Sequence, residues 1–108
     1  MSLSTHVLDA ITGRPAAGVA VRLESWTGAD WAAAGERTTD ADGRIGDLGN
    51  PAAGRHRITF DTGDYFAARK VATFYPEVSV VFEVTEPDRH HHVPLLLSPF
   101  AYTTYRGS

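Results

Sequence analysis

The side chains able to move protons in this sequence are few and grouped. His6 stands in Thr5-His6-Val7-Leu8-Asp9, three histidines run together as His90-His91-His92 ahead of Val93-Pro94-Leu95-Leu96-Leu97, and Arg44 follows the turn-forming run Thr39-Asp40-Ala41-Asp42-Gly43. The C-terminal Tyr105-Arg106-Gly107-Ser108 adds hydroxyls and a guanidinium where chain ends are normally expendable. Cysteine is absent, which removes thiol nucleophiles, thiolate zinc sites and disulfide scaffolds together. Imidazoles and carboxylates must therefore carry any chemistry. An imidazole titrating near ~6.5 can take a proton from water at neutral pH, and a positioned general base of that kind contributes on the order of 10² to 10⁴ in rate.

Side chains alternate along a strand, so His90 and His92 project from one face and His91 from the other. Two imidazoles so spaced can share one metal ion with His6 as a third ligand, because three histidines and a water form a known catalytic zinc arrangement. A ligating imidazole ordinarily needs a carboxylate or carbonyl to orient it, and the histidine run itself carries no carboxylate, so the metal-free reading is favoured. Taken singly, His6 reads as a solvated strand histidine, His90 and His91 as an exposed strand start beside Asp88 and Arg89, and Arg44 as a solvated turn residue. His92 differs from its neighbours in leading directly into apolar strand.

These groups are far apart in sequence, so strands must bring them together. Short apolar alternations separated by Gly, Pro, Asp and Asn clusters predict an all-β antiparallel sandwich of seven to eight strands. Thr5 to Asp9 is the first strand, with His6 and Leu8 on one face and Val7 on the other, closed by the turn Thr12-Gly13-Arg14-Pro15. Val19 to Trp26 is the second, and a third begins near Trp31. Arg55 to Asp61 alternates again. Thr62-Gly63-Asp64 then reads as the cap of the only helix, Tyr65 to Val71, about two turns long. Val78 to Val84 and His92 to Leu97 are apolar enough for central strands, and Ala101 to Arg106 makes a last one after Ser98-Pro99.

A chain of 108 residues, 43% hydrophobic and 21% charged, is expected to fold as one domain spanning residues 1–108. A formal net charge of −3 without a Lys or Arg run argues against nucleic acid and anionic membranes as partners. No segment approaches the ~20 apolar residues of a membrane span, and Met1 to Ala10 lacks the pattern of a secretory leader, so a cytoplasmic location is expected.

Together the three histidine- and tail-bearing segments resemble the 5-hydroxyisourate hydrolases, the enzymatic branch of the transthyretin family. The resemblance runs from Thr5-His6-Val7-Leu8-Asp9 and Gly13-Arg14-Pro15-Ala16, through Asp42-Gly43-Arg44 and Tyr75-Pro76-Glu77, to His92-Val93-Pro94-Leu95-Leu96-Leu97-Ser98-Pro99 and Tyr105-Arg106-Gly107-Ser108. The last tetrapeptide is its most specific part; hormone-carrying transthyretins keep the fold without that ending or the paired histidines. The resemblance implies a transthyretin-like β-sandwich and the hydrolysis of 5-hydroxyisourate to 2-oxo-4-hydroxy-4-carboxy-5-ureidoimidazoline in urate catabolism. It places the catalytic groups at His6, Arg44 and His92, with Tyr105, Arg106, Gly107 and Ser108 binding substrate, no metal and no cofactor. It also implies a homotetramer of two dimers, with sites where the dimers meet. One departure stands out: the position between the two histidines, often aromatic in the family, is His91 here. A non-catalytic small-molecule carrier on the same fold is the alternative.

Overall fold

The computed structural model describes residues 2 to 107, so Met1 and the expected site residue Ser108 lie outside the described residues. In chain order the strands are β1 (Leu3–Asp9), β2 (Arg14–Pro15), β3 (Ala20–Trp26), β4 (Trp31–Thr38), β5 (Arg44–Ile45) and β6 (Gly54–Phe60). A helix, α1 (Thr62–Ala68), precedes β7 (Val78–Val84), β8 (His91–His92), β9 (Leu95–Leu97) and β10 (Tyr102–Thr104). One sheet runs β4-β3-β6-β7. The other runs β10-β9-β1-β2, with β5 and β8 also paired to β1.

The sandwich follows from the period of two. On β1, Leu3, Thr5, Val7 and Asp9 turn inward and are buried; Val21 and Leu23 of β3, Ile58 and Phe60 of β6, Val78 of β7, and Leu95 and Leu97 of β9 join Leu3 and Val7 in one hydrophobic cluster. Each such side chain contributes roughly 1.5 to 3 kcal/mol relative to its exposed state. Buried Asp9 is fully employed: Oδ1 accepts from the backbone N–H groups of Ile11 (2.8 Å) and Thr12 (3.3 Å), and Oδ2 accepts from the Tyr65 hydroxyl (2.8 Å). Burial, then the bond to Asp9, pushes the Tyr65 phenol up to about 12. The helix is thereby fastened to the back of β1.

Several sequence expectations need correction. The helix begins at Thr62, not Tyr65, and ends at Ala68, short of Val71. Thr62-Gly63-Asp64 forms its first turn instead of capping it, with the Asp64 carboxylate at the positive end of the helix dipole. Lys70 takes φ 58°, and the N–H groups of Lys70 and Val71 close back on the carbonyls of Ala67 and Phe66, which stops the helix before Val71. The expected strand His92 to Leu97 is divided, because Pro94 has no N–H to give the ladder. Hydroxyls take up the carbonyls at the break: Thr5 Oγ1 donates to Val93 O at 2.6 Å and Thr104 Oγ1 to Pro94 O at 2.8 Å. Both halves, β8 and β9, pair with β1 in parallel, whereas antiparallel ladders were expected throughout. The last strand stops at Thr104 instead of Arg106, since the chain leaves the ladder there and crosses to β8. Among the described residues, no helix is long and apolar enough to cross a membrane.

Candidate active site

The outward face of β1 is the foundation of the site. Ser4, His6 and Leu8 alternate with the buried residues and point away from the core. The antiparallel register of β5 sets Arg44 opposite His6, and the parallel register of β8 sets His92 opposite Ser4. Paired residues share a face, so His6, Arg44 and His92 converge there. His6 and Arg44 both come near enough for their charges to act on His92. Leu8 and Leu96 are paired beside them and give the face an apolar continuation, with Thr103 of β10 opposite Leu96.

The turn before β5 fixes two of these groups. Asp40 Oδ1 accepts from the N–H groups of Asp42 and Arg44, both at 2.9 Å, and Gly43 N–H donates to Asp40 O at 2.9 Å. Gly43 adopts φ 72°, and a Cβ there would strike the Val7 carbonyl, so glycine is required for conformation and for space. The turn is thus pressed against β1. From it the Asp42 carbonyl receives a hydrogen bond from His6 Nε2 at 2.9 Å. A carbonyl can only accept, so Nε2 of His6 carries hydrogen and Nδ1 is the nitrogen left as acceptor in the neutral ring.

His92 is held differently. Its Nδ1 lies 2.7 Å from Ser4 Oγ, which leaves Nε2 for the site. Burial holds its proton affinity below that of an ordinary histidine, and the charges of Arg44, His90 and His6 lower it further. Each of these effects favours the neutral ring, the form in which an imidazole can accept a proton. Among the described residues no carboxylate bonds to either His6 or His92, and no three His, Asp or Glu side chains form a group able to hold a metal ion.

The tail reaches the same ring. Gly107 N–H donates to the His92 carbonyl at 2.8 Å, forming an isolated antiparallel bridge. A Cβ on Gly107 would lie 2.5 Å from His92 Cδ2, so only glycine allows the chain to pass this close. Tyr105 and Arg106 are exposed beside it. With His92 they line a cavity of about 270 Å³ between the tail and β7, whose other walls include Val80, Phe82 and His91. That cavity includes neither His6 nor Arg44; it opens on the edge of the sandwich, while the face where the three groups meet stays open in one chain. His91 pairs with inward Leu3 and so points away from His92, its Nδ1 donating to Arg89 O at 2.9 Å.

Two features escaped the sequence reading, Ser4 and the Asp42 carbonyl, while His90, read there as a metal-ligand alternative or an exposed strand start, has its Nε2 2.9 Å from Ser4 Oγ. Ser4 had a signal, since it stands two residues before His6 on a strand of period two. The carbonyl had none.

The HIUase/Transthyretin family model matches residues 3–107. The chain belongs to this family. A 5-hydroxyisourate hydrolase of Salmonella typhimurium is 47% identical over 109 residues, covering 98% of this chain and 80% of its own length. The structure of Klebsiella pneumoniae 5-hydroxyisourate hydrolase superposes with a TM-score of 0.89 at 34% identity over 100% of both chains. Sea bream transthyretin in complex with thyroxine gives 0.92, also at 34% identity, over 99% of this chain and 95% of its own. Members of the HIUase/transthyretin family thus include both hydrolases and a thyroxine-bound protein on nearly one backbone.

Proposed function

We propose that this protein hydrolyses 5-hydroxyisourate to 2-oxo-4-hydroxy-4-carboxy-5-ureidoimidazoline, opening an oxidised purine ring in urate catabolism. The observation carrying this reading is the convergence of His6, Arg44 and His92 on one outward face, with His92 kept neutral beside a permanent cation. His92 Nε2 takes a proton from water as its oxygen attacks the ring amide carbon. His6 holds that water through Nδ1. Arg44 presents a planar fork of donors to the oxyanion formed on attack, the arrangement that stabilises such charge most effectively. The C–N bond then breaks, and the leaving nitrogen takes the proton from His92. Tyr105, Arg106 and Gly107 stand beside His92 and bind the substrate there, Ser108 is assigned to substrate binding with them, and no cofactor is needed.

The open face argues for a second copy of the chain as its cover, and we propose a homotetramer in which dimers meet over these sites. Sedimentation of the purified protein tests it; a monomer at assay concentration is the contrary result. A cytoplasmic location belongs to the same proposal and is tested by cell fractionation. The assay for activity is the loss of ultraviolet absorbance of freshly made 5-hydroxyisourate. Decay no faster than in buffer would refute hydrolysis. The carrier reading, favoured by the superposition on thyroxine-bound transthyretin, would then stand, with saturable thyroxine binding as its measurement.

A further inference from the structure

Ser4 is only 8% exposed, although it lies on the outward face, because two imidazoles cover it. Its hydroxyl sits 2.7 Å from His92 Nδ1 and 2.9 Å from His90 Nε2. The parallel register places Ser4 opposite His92, and His90, just ahead of β8, reaches the same hydroxyl. His90 itself is exposed. A hydroxyl donates one hydrogen, so Ser4 cannot donate to both rings, and the hydrogen on one ring constrains the other.

We propose that Ser4 and His90 form a proton relay behind His92, which fixes its tautomer and draws outward the positive charge that develops on it during attack. This inference rests on the hydrolase reading. In the ready state, His92 Nδ1–H donates to Ser4 Oγ, Ser4 O–H donates to His90 Nε2, and His92 Nε2 is bare. As the water oxygen bonds to the ring carbon, its proton moves to His92 Nε2. The Nδ1 proton of His92 passes to Ser4 as the Ser4 hydrogen passes to His90 Nε2. His92 is then neutral, and the charge rests on exposed His90. When the C–N bond breaks with its electron pair on nitrogen, the shifts reverse and the Nε2 proton of His92 goes to that nitrogen. No proton is gained or lost by the chain of groups.

Charge placement supplies the reason for such a device. His92 is faced by Arg44 from β5, by His6 and Ser4 from β1, by His90 on its own segment and by the Gly107 backbone from the tail. Arg44 and burial both oppose a cation on His92. One ring further out, the same charge meets water.

The test uses the full chain in the absorbance assay. Ser4→Ala and His90→Gln should each lower kcat roughly 10 to 100-fold, by analogy with groups that orient metal-ligating imidazoles, with KM unchanged. Glutamine can accept the hydrogen bond from Ser4 but cannot take its proton. His90→Ala should recover turnover as imidazole is added to the buffer, and Ser4→Ala should not. Wild-type kcat in His90→Gln, or a His90→Ala defect indifferent to imidazole, would overturn the relay. Nitrogen-15 NMR of the unmodified protein reads it without turnover: hydrogen on Nδ1 of His92 is expected, and hydrogen on Nε2 instead would overturn it. If the unmodified protein fails to accelerate decay, the hydrolase reading is what has failed, and the NMR result still judges the tautomer.

Discussion

Replacing Gly107 by alanine tests whether the tail works by being pressed onto His92. The added Cβ would stand 2.5 Å from Cδ2, 3.1 Å from Cγ and 3.2 Å from Cβ of the His92 side chain. The first of these is about 0.9 Å short of the 3.4 Å at which ordinary contact begins. Two responses are open. The ring can move away, which stretches its 2.7 Å bond to Ser4, or the tail can lift and give up its 2.8 Å bond to the His92 carbonyl. A misplacement of about 1 Å at a reacting group costs on the order of 10²-fold in rate, so kcat should fall about 100-fold in the 5-hydroxyisourate absorbance assay. Stability should change far less, because one backbone hydrogen bond at a chain end contributes only about 1 kcal/mol net. That corresponds to a Tm loss of roughly 4 to 8 °C at most. Gly46→Ala is the control, since a Cβ there meets nothing within 4 Å. A Gly107→Ala protein turning over at the rate of the Gly46→Ala control would refute the claim that the tail presses on the base.

Arg44→Ala should abolish most turnover, by about 10²-fold or more as for loss of an oxyanion donor. Because the removed guanidinium lowers the proton affinity of His92, the NMR titration midpoint of that ring should rise, and the acid limb of the residual activity, set by protonation of the base, should move to higher pH. His92→Ala and His6→Ala should each lose most activity while His91→Ala keeps it; equal damage at positions 91 and 92 in the same assay would contradict the parallel register with β1. Tyr65→Phe should cost roughly 1 to 3 kcal/mol in urea unfolding, because it strips a donor from the buried Asp9 carboxylate, with kcat unchanged. Dialysis against a chelator should leave turnover unaltered, and elemental analysis of the active protein should find no stoichiometric metal.

Much of this arrangement was readable in the sequence because strand alternation is a strong local signal. Val78 to Val84 matches β7 at both ends, and the alternation about Val7 put His6 outward. What escaped was set by contacts between distant segments. The division at Val93-Pro94 depends on hydroxyls from Thr5 and Thr104 that satisfy the carbonyls there. The helix start depends on Gly63, whose N–H bonds the Pro76 carbonyl so closely that a side chain would collide with it. In the site, the histidines were visible as residue types, but Ser4 between two rings required knowing that β8 runs parallel to β1. Glycine at 107 was noticed as part of a tetrapeptide. Its reason, space against an imidazole, is a tertiary fact.

The two faces of β1 divide their labour in this chain. The inward residues Leu3, Thr5, Val7 and Asp9 hold the two sheets and the helix together, and each change there is felt by the core. The outward residues Ser4, His6 and Leu8 leave that packing untouched, so their identity is free to follow chemistry. Arg44 and His92 reach the same face through two-residue strands, which contribute little to the core beyond Ile45. Where the reactive groups do depend on the scaffold, they depend on its backbone: the Asp42 carbonyl under His6, the close pass of Gly43 against Val7, and the close pass of Gly107 against His92. His6 is therefore aimed by main chain, and His92 by main chain together with the Ser4 hydroxyl, so substituting either glycine should disturb turnover without removing any of the side chains proposed to react.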